Sequence, residues 1–143
     1  IVDDHASILN VITAILRRVP GLHLTVESSP LRALELIRSQ PAHYDLLITD
    51  FRMPEMNGAQ LATACRLVRP DLPVLAVTTT PVATLGNPNF SATLAKPFTP
   101  DELVRAVLEH LNSERQQHRT LSSLPLRTDK NSTGRHTSPA PQS

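Results

Sequence analysis

Along residues 1–111, short apolar runs bounded by proline, glycine or aspartate alternate with longer segments whose apolar residues recur at helical spacing. An alternation of this kind, repeated about five times, makes each run a parallel strand and each longer segment a crossover helix, giving one sheet covered on both faces. Ile8, Leu9, Val11, Ile12, Ile15, Leu16 and Val19 mark the apolar face of a first helix, with Ser7 as its expected N-cap and Pro20-Gly21 as its stop. Leu22 to Val26 alternates like a strand, and a second helix begins at Pro30 with Leu31, Leu34, Leu36 and Ile37 facing inward. Tyr44 to Thr49 reads as a buried strand, Gly58 to Val68 as a third helix, and Pro73 to Thr78 as the next strand. Pro81, Gly86, Asn87 and Pro88 then interrupt the place of a fourth helix, which is expected to be shortened. A strand around Ala92 to Ala95 and a helix from Pro100 to about Leu111 close the pattern, the helix opened by a Thr99/Glu102 capping box.

The same alternation fixes where chemistry can gather. Asp3-Asp4 follows Ile1-Val2, and Asp50 follows Leu46-Leu47-Ile48-Thr49. Loops leaving the carboxyl ends of neighbouring parallel strands meet in one crevice, so these acids converge. Converging carboxylates repel, and they stay ionised together only around a cation. An oxygen-only set suits Mg²⁺ or Mn²⁺ better than zinc, which points to a phosphate-handling site.

Composition bounds the alternatives. The formal net charge is +1 and offers no electrostatic case for nucleic-acid binding, the more so because Arg115, Arg119, Arg127, Lys130 and Arg135 lie in a segment without periodicity. That segment, residues 113–143, is rich in Ser, Thr and Pro and is expected to be a disordered tail or linker behind a folded domain over residues 1–112. The single cysteine, Cys65, excludes an internal disulfide and fits a reducing, cytoplasmic setting. No run approaches the ~18 apolar residues of a membrane span. His5, His23, His43, His110, His118 and His136 have neither i,i+4 spacing nor a cysteine partner, so no zinc site is expected. Only Ile1-Val2 stand where a full central strand belongs, so the first strand is truncated and the chain reads as a trimmed fragment.

Four motifs carry a resemblance. Ile1-Val2-Asp3-Asp4, the stretch Ile48-Thr49-Asp50-Phe51-Arg52-Met53-Pro54-Glu55-Met56-Asn57-Gly58, Val77-Thr78 and Lys96-Pro97-Phe98 resemble, in order and spacing, the receiver domain of two-component response regulators. Taken singly, Lys96 would be a solvated lysine and Asp3-Asp4 a helix-capping pair; the set of four reverses that reading. The resemblance implies an α/β, flavodoxin-like, doubly wound five-stranded sheet of order 2-1-3-4-5. It also implies that Asp50 is the phosphoacceptor, that Asp3 and Asp4 bind metal with the backbone carbonyl of Arg52, that Thr78 is the switch hydroxyl and that Lys96 pairs with phosphate. A cis bond before Pro97 is implied as well, aiming Lys96 into the crevice. The expected function is Mg²⁺-dependent phosphorelay signalling, with a phosphoryl group taken from a histidine kinase or histidine phosphotransfer protein. No enzymatic turnover on another substrate is expected. The stretches Tyr44 to Asp50 and Arg69 to Pro73 are similar to receivers at the ends of hybrid histidine kinases.

Two departures favour an alternative, a receiver-like interaction module that signals without phosphorylation. The aromatic expected three positions before the lysine is replaced by Thr93, with Phe90 nearby, and the interval from Thr78 to Lys96 is short. A haloacid-dehalogenase-type phosphatase is disfavoured, because Arg52 stands where that family places a second aspartate.

Overall fold

The computed structural model describes residues 1–81 and 89–122, with residues 113–122 by their backbone alone. In chain order the elements are α1 (Ala6–Leu16), α2 (Pro30–Ser39), β1 (Leu47–Thr49), α3 (Gly58–Val68), β2 (Val74–Thr78), β3 (Ala92–Ala95) and α4 (Pro100–Ser122). The strands β1, β2 and β3 lie side by side and parallel, with Leu47 opposite Val74 and Leu75 opposite Ala92. Single parallel bridges from Val2 to Thr49 and from Val2 to Glu27 continue the sheet beyond β1. The lateral order is therefore Glu27, Val2, β1, β2, β3, which is the 2-1-3-4-5 order of a flavodoxin-like fold.

Side chains on a strand alternate between faces, and the core divides accordingly. Leu47 and Val74 turn toward Ala33, Leu34 and Ile37 of α2 and Leu61, Ala62 and Cys65 of α3. Their neighbours Ile48, Leu75 and Val77 turn the other way, onto Ile12 and Leu16 of α1 and Leu103 and Val107 of α4. Every residue of β1 and β2 is buried, as expected for central parallel strands covered on both sides. Burial pushes the Cys65 thiol up to about 11, with Arg38 opposing weakly, so this cysteine stays a protonated packing residue.

The helix ends follow from local chemistry. The Asn57 side chain accepts from the Gln60 N–H while the Gln60 side chain accepts from the Asn57 N–H, a reciprocal cap that starts α3. Thr99 and Glu102 repeat the arrangement at α4, as the sequence predicts. For α1 the expected cap at Ser7 gives way to His5, whose carbonyl takes the Ile8 and Leu9 N–H groups without any side-chain cap. The helix starts that early because Asp3 accepts the His5 N–H and turns the chain. Leu31 is exposed rather than inward, since the buried positions of α2, Pro30, Ala33, Leu34 and Ile37, keep the i, i+3, i+4, i+7 spacing that Leu31 does not share. Val11 is likewise exposed on α1.

Three expectations change. Residues 22–26 are not a strand: Ile1-Val2 provide only enough backbone to bridge Glu27, and a strand without a partner of matching length cannot satisfy its ladder. The strand expected from Tyr44 is confined to Leu47–Thr49 for the same reason. The last helix runs on to Ser122 instead of stopping near Leu111, because Glu, Arg and Gln continue it and no proline or glycine intervenes. The shortened fourth helix and the tail from residue 123 lie outside the described residues.

At the amino ends of the strands, beside Ile1, a cavity of about 350 Å³ opens between Ile1, Leu22, Leu24, Leu46, Ile48 and Leu111. The Ile1 ammonium donates to the Thr25 carbonyl at 2.8 Å at its edge. Desolvation lowers this amine to about 6 from 8.0, opposed by the charge of Glu27.

Candidate functional site

At the opposite, carboxyl ends of the strands, successive elements deliver the polar side chains. Asp3 and Asp4 leave the Val2 bridge, Asp50 leaves β1, Thr78 ends β2 and Lys96 follows β3. Asp3 and Asp50 are 2% and 8% exposed, an environment that demands partners. Lys96 provides one: its Nζ donates to Asp3 Oδ2 at 3.0 Å and stands 3.5 Å from Asp50 Oδ2. The peptide bond between Lys96 and Pro97 is cis, and the Lys96 N–H donates to the Thr78 carbonyl at 3.0 Å.

Asp50 is held from its own backbone outward. Its Oδ1 accepts the Phe51 N–H at 2.7 Å, and its N–H donates to the Val2 carbonyl at 3.0 Å. The loop that follows turns tightly through Glu55, at φ 70, and returns so that the Gly58 N–H donates to the Phe51 carbonyl at 2.7 Å. Gly58 has to be glycine here. A Cβ at that position would run into the Asp50 carbonyl oxygen. Arg52 lies exposed in the loop, two residues beyond Asp50.

Asp3, Asp4, His5 and Asp50 each bring one donor atom to within 4.8 Å of the others. Asp4 Oδ1 is shielded from solvent yet receives no hydrogen bond; His5 Nδ1 comes to 3.2 Å without hydrogen-bond geometry. Three carboxylates against the single Lys96 ammonium leave an excess of negative charge. An oxygen-rich set with an undonated lone pair and excess negative charge fits a hard divalent cation.

The site thus unites Asp3, Asp4, Asp50 and Lys96. Thr78 stands apart: it is buried at the end of β2, its hydroxyl accepts the Thr80 N–H at 3.1 Å, and among the described residues it makes no polar contact with the carboxylates. Thr93 sits half-buried in β3, while Phe90 packs edge-on against Phe51 with ring centroids 6.3 Å apart. Phe90, three residues upstream of Thr93, thus touches the neighbour of Asp50. Sequence reasoning dismissed His5 along with the other histidines, although its position directly after the acid pair, at a strand-to-helix junction, was the available signal.

The response regulator receiver domain model matches residues 1–108. The chain belongs to this family. Among curated relatives, the two-component response regulator ARR14 of Arabidopsis thaliana is 32% identical over 138 residues, covering 92% of this chain and 36% of that protein. The response regulator receiver protein CpdR of Brucella abortus is 34% identical over 92 residues, covering 61% of this chain and 74% of that protein. The chain spans 11% of the transcription factor SKN7 of Chaetomium thermophilum, to which it is 33% identical over 85 residues. Among solved structures, a response regulator receiver protein from Sinorhizobium medicae superimposes with a TM-score of 0.68 at 31% identity, covering 78% of this chain and 90% of that one. A receiver domain from Methanospirillum hungatei gives 0.72 at 24% identity, covering 81% and 94%, and supports the fold. Membership of the receiver family places the chain in two-component signalling. Among the described residues, no helix is long and apolar enough to cross a membrane.

Proposed function

We propose that this receiver domain accepts a phosphoryl group on Asp50 from a phosphohistidine of a histidine kinase or phosphotransfer protein. The observation that carries the reading is the convergence of Lys96 Nζ on both Asp3 Oδ2 and Asp50 Oδ2, at 3.0 and 3.5 Å. Asp3, Asp4 and Asp50, with the backbone carbonyl of Arg52, would hold Mg²⁺ or Mn²⁺. When bound, the ion neutralises charge on the transferring phosphoryl oxygens. The Phe51 N–H fixes the plane of the Asp50 carboxylate through Oδ1, which leaves Oδ2 directed toward Lys96. A carboxylate oxygen attacks phosphorus as the P–N bond of the donor breaks; the departing imidazole keeps the electron pair and takes up a proton. Lys96 exchanges its carboxylate contact for a phosphoryl oxygen. The domain catalyses this transfer and, separately, hydrolysis of the resulting acyl phosphate, in which water takes the phosphoryl group as inorganic phosphate and the Asp50 carboxylate is restored, with no turnover on another substrate.

The test is intact mass after incubation with acetyl phosphate, with and without Mg²⁺, beside Asp50→Asn. One metal-dependent phosphoryl adduct that vanishes in the variant is the expected outcome. A second reading, signalling without phosphorylation, draws on the Thr78 hydroxyl being engaged by Thr80 and on Thr93 replacing an aromatic. No adduct in the folded chain, with partner binding retained by Asp50→Ala, would favour it.

A further inference from the structure

We propose that His5 is an additional ligand of the acidic site and that it shifts the site's preference from Mg²⁺ toward a borderline first-row divalent ion. The inference rests on the metal-dependent reading above and specifies the ion class.

His5 Nδ1 is in hydrogen-bond contact with Asp3 Oδ1 at 3.3 Å, a contact that an ion bound between them would replace, and lies 3.2 Å from Asp4 Oδ1. In an octahedral site with donors ~2.1 Å from the ion, adjacent donors are about 3.0 Å apart, so the imidazole stands at the spacing of a neighbouring ligand. The four donor atoms of Asp3, Asp4, His5 and Asp50 already fall within 4.8 Å of one another, and Asp4 Oδ1 lacks a hydrogen-bond donor. The backbone keeps His5 there. Its N–H donates to Asp3 Oδ1 at 2.9 Å and its carbonyl starts α1. The side chain is 64% exposed, so the ring can reorient at the mouth of the crevice without moving the fold.

Imidazole contributes little to Mg²⁺, a hard ion that favours oxygen and retains water. It strengthens binding progressively along the series from Mn²⁺ through Co²⁺ to Ni²⁺. A His5 that merely balanced the charge of Asp3 and Asp4 would act alike on all these ions. Discrimination between ions therefore separates ligation from charge balance.

The experiment is calorimetric titration of the full chain with MgCl₂ and, separately, NiCl₂ in a non-coordinating buffer. Wild type is compared with His5→Ala, His5→Gln and an Asp3→Asn/Asp4→Asn double variant. The double variant keeps all six histidines and measures Ni²⁺ uptake elsewhere. In His5→Ala, site-specific Ni²⁺ affinity is expected to fall about tenfold or more while Mg²⁺ affinity changes less than about threefold. His5→Gln, which offers an oxygen donor, should retain Mg²⁺ binding and lose the Ni²⁺ preference. Equal fold-changes for both ions, or none, overturn the assignment of His5 while leaving the oxygen site intact. Wild-type Mg²⁺ binding that is absent, or unaffected in the double variant, overturns the metal-dependent reading together with this one.

Discussion

At the carboxyl ends of the strands Asp3, Asp50 and Thr78 are buried and partnered, whereas at the amino ends Ile1, Leu22, Leu24 and Leu46 border a cavity of about 350 Å³. In a chain starting at Ile1, one sheet thus carries a tightly constrained end and a hollow end. Buried charge tolerates no slack, because each ion needs a partner at fixed distance. Apolar residues at the other end lose packing when a neighbour is short, but they violate no such requirement, and two layers of helices still hold them.

Gly58→Ala should have the largest effect of the changes that separate the ends. The new Cβ meets the Asp50 backbone carbonyl, which cannot swing aside like a side-chain tip. A loss of about 3 kcal/mol in denaturant unfolding is expected, with slower phosphorylation as Asp50 shifts. Tolerance of alanine with wild-type stability would mean that the constrained end has more play than its geometry indicates.

Filling the hollow end should act in the opposite direction. In a chain carrying about four apolar β-branched residues ahead of Ile1, those residues are expected to enter the cavity and pair with the Leu22–Val26 backbone. A gain of about 2 kcal/mol is expected in urea, with residues 22–26 acquiring slow amide exchange. Faster phosphorylation would show that the ends communicate; an unchanged rate would show that they are independent.

The smallest effect is a pH dependence that belongs to a chain starting with a free amine at Ile1. The Ile1 amine sits at about 6 when folded and 8.0 when free, so the folded state binds fewer protons between those values. Stability therefore rises from pH 6 to pH 8 and levels off above. Because Ile1 is partly exposed and bonds Thr25 at the solvent edge, the rise is about 1 kcal/mol, well below the full value for two pKa units. Thermal melts of the free and N-acetylated chains test this, and acetylation should remove the increment belonging to the amine.

The comparison also explains what could be read in advance. Asp3, Asp4 and Asp50 were legible because strand ends in an alternating chain converge by topology, whatever the side-chain details, whereas Lys96 was legible only through the resemblance that the four motifs carry together. The boundaries of α3 and β3 were legible because the Asn57-Gly58 turn and an apolar run are local signals, while the Asn57/Gln60 cap emerged only in the structure. Leu22 to Val26 misled because alternation reports a willingness to pair and says nothing of the length of the partner. Ser7 misled because the turn into α1 depends on the Asp3 carboxylate, a tertiary placement. Thr78 was legible as a position, but the capture of its hydroxyl by Thr80 was not. Helix α4 outran its apolar periodicity because helix-forming polar residues propagate a turn already nucleated.

Lys96, resting between Asp3 and Asp50, carries a consequence for timing. A site whose counter-charge is built in needs no rearrangement of strands to receive an anion. Under the proposed transfer, the group that would travel among the described residues is an ammonium at the end of a four-carbon stem, and side-chain rotations of this kind take on the order of nanoseconds. Docking of a donor and formation of the bond to phosphorus, both slower, would then set the pace of the proposed transfer.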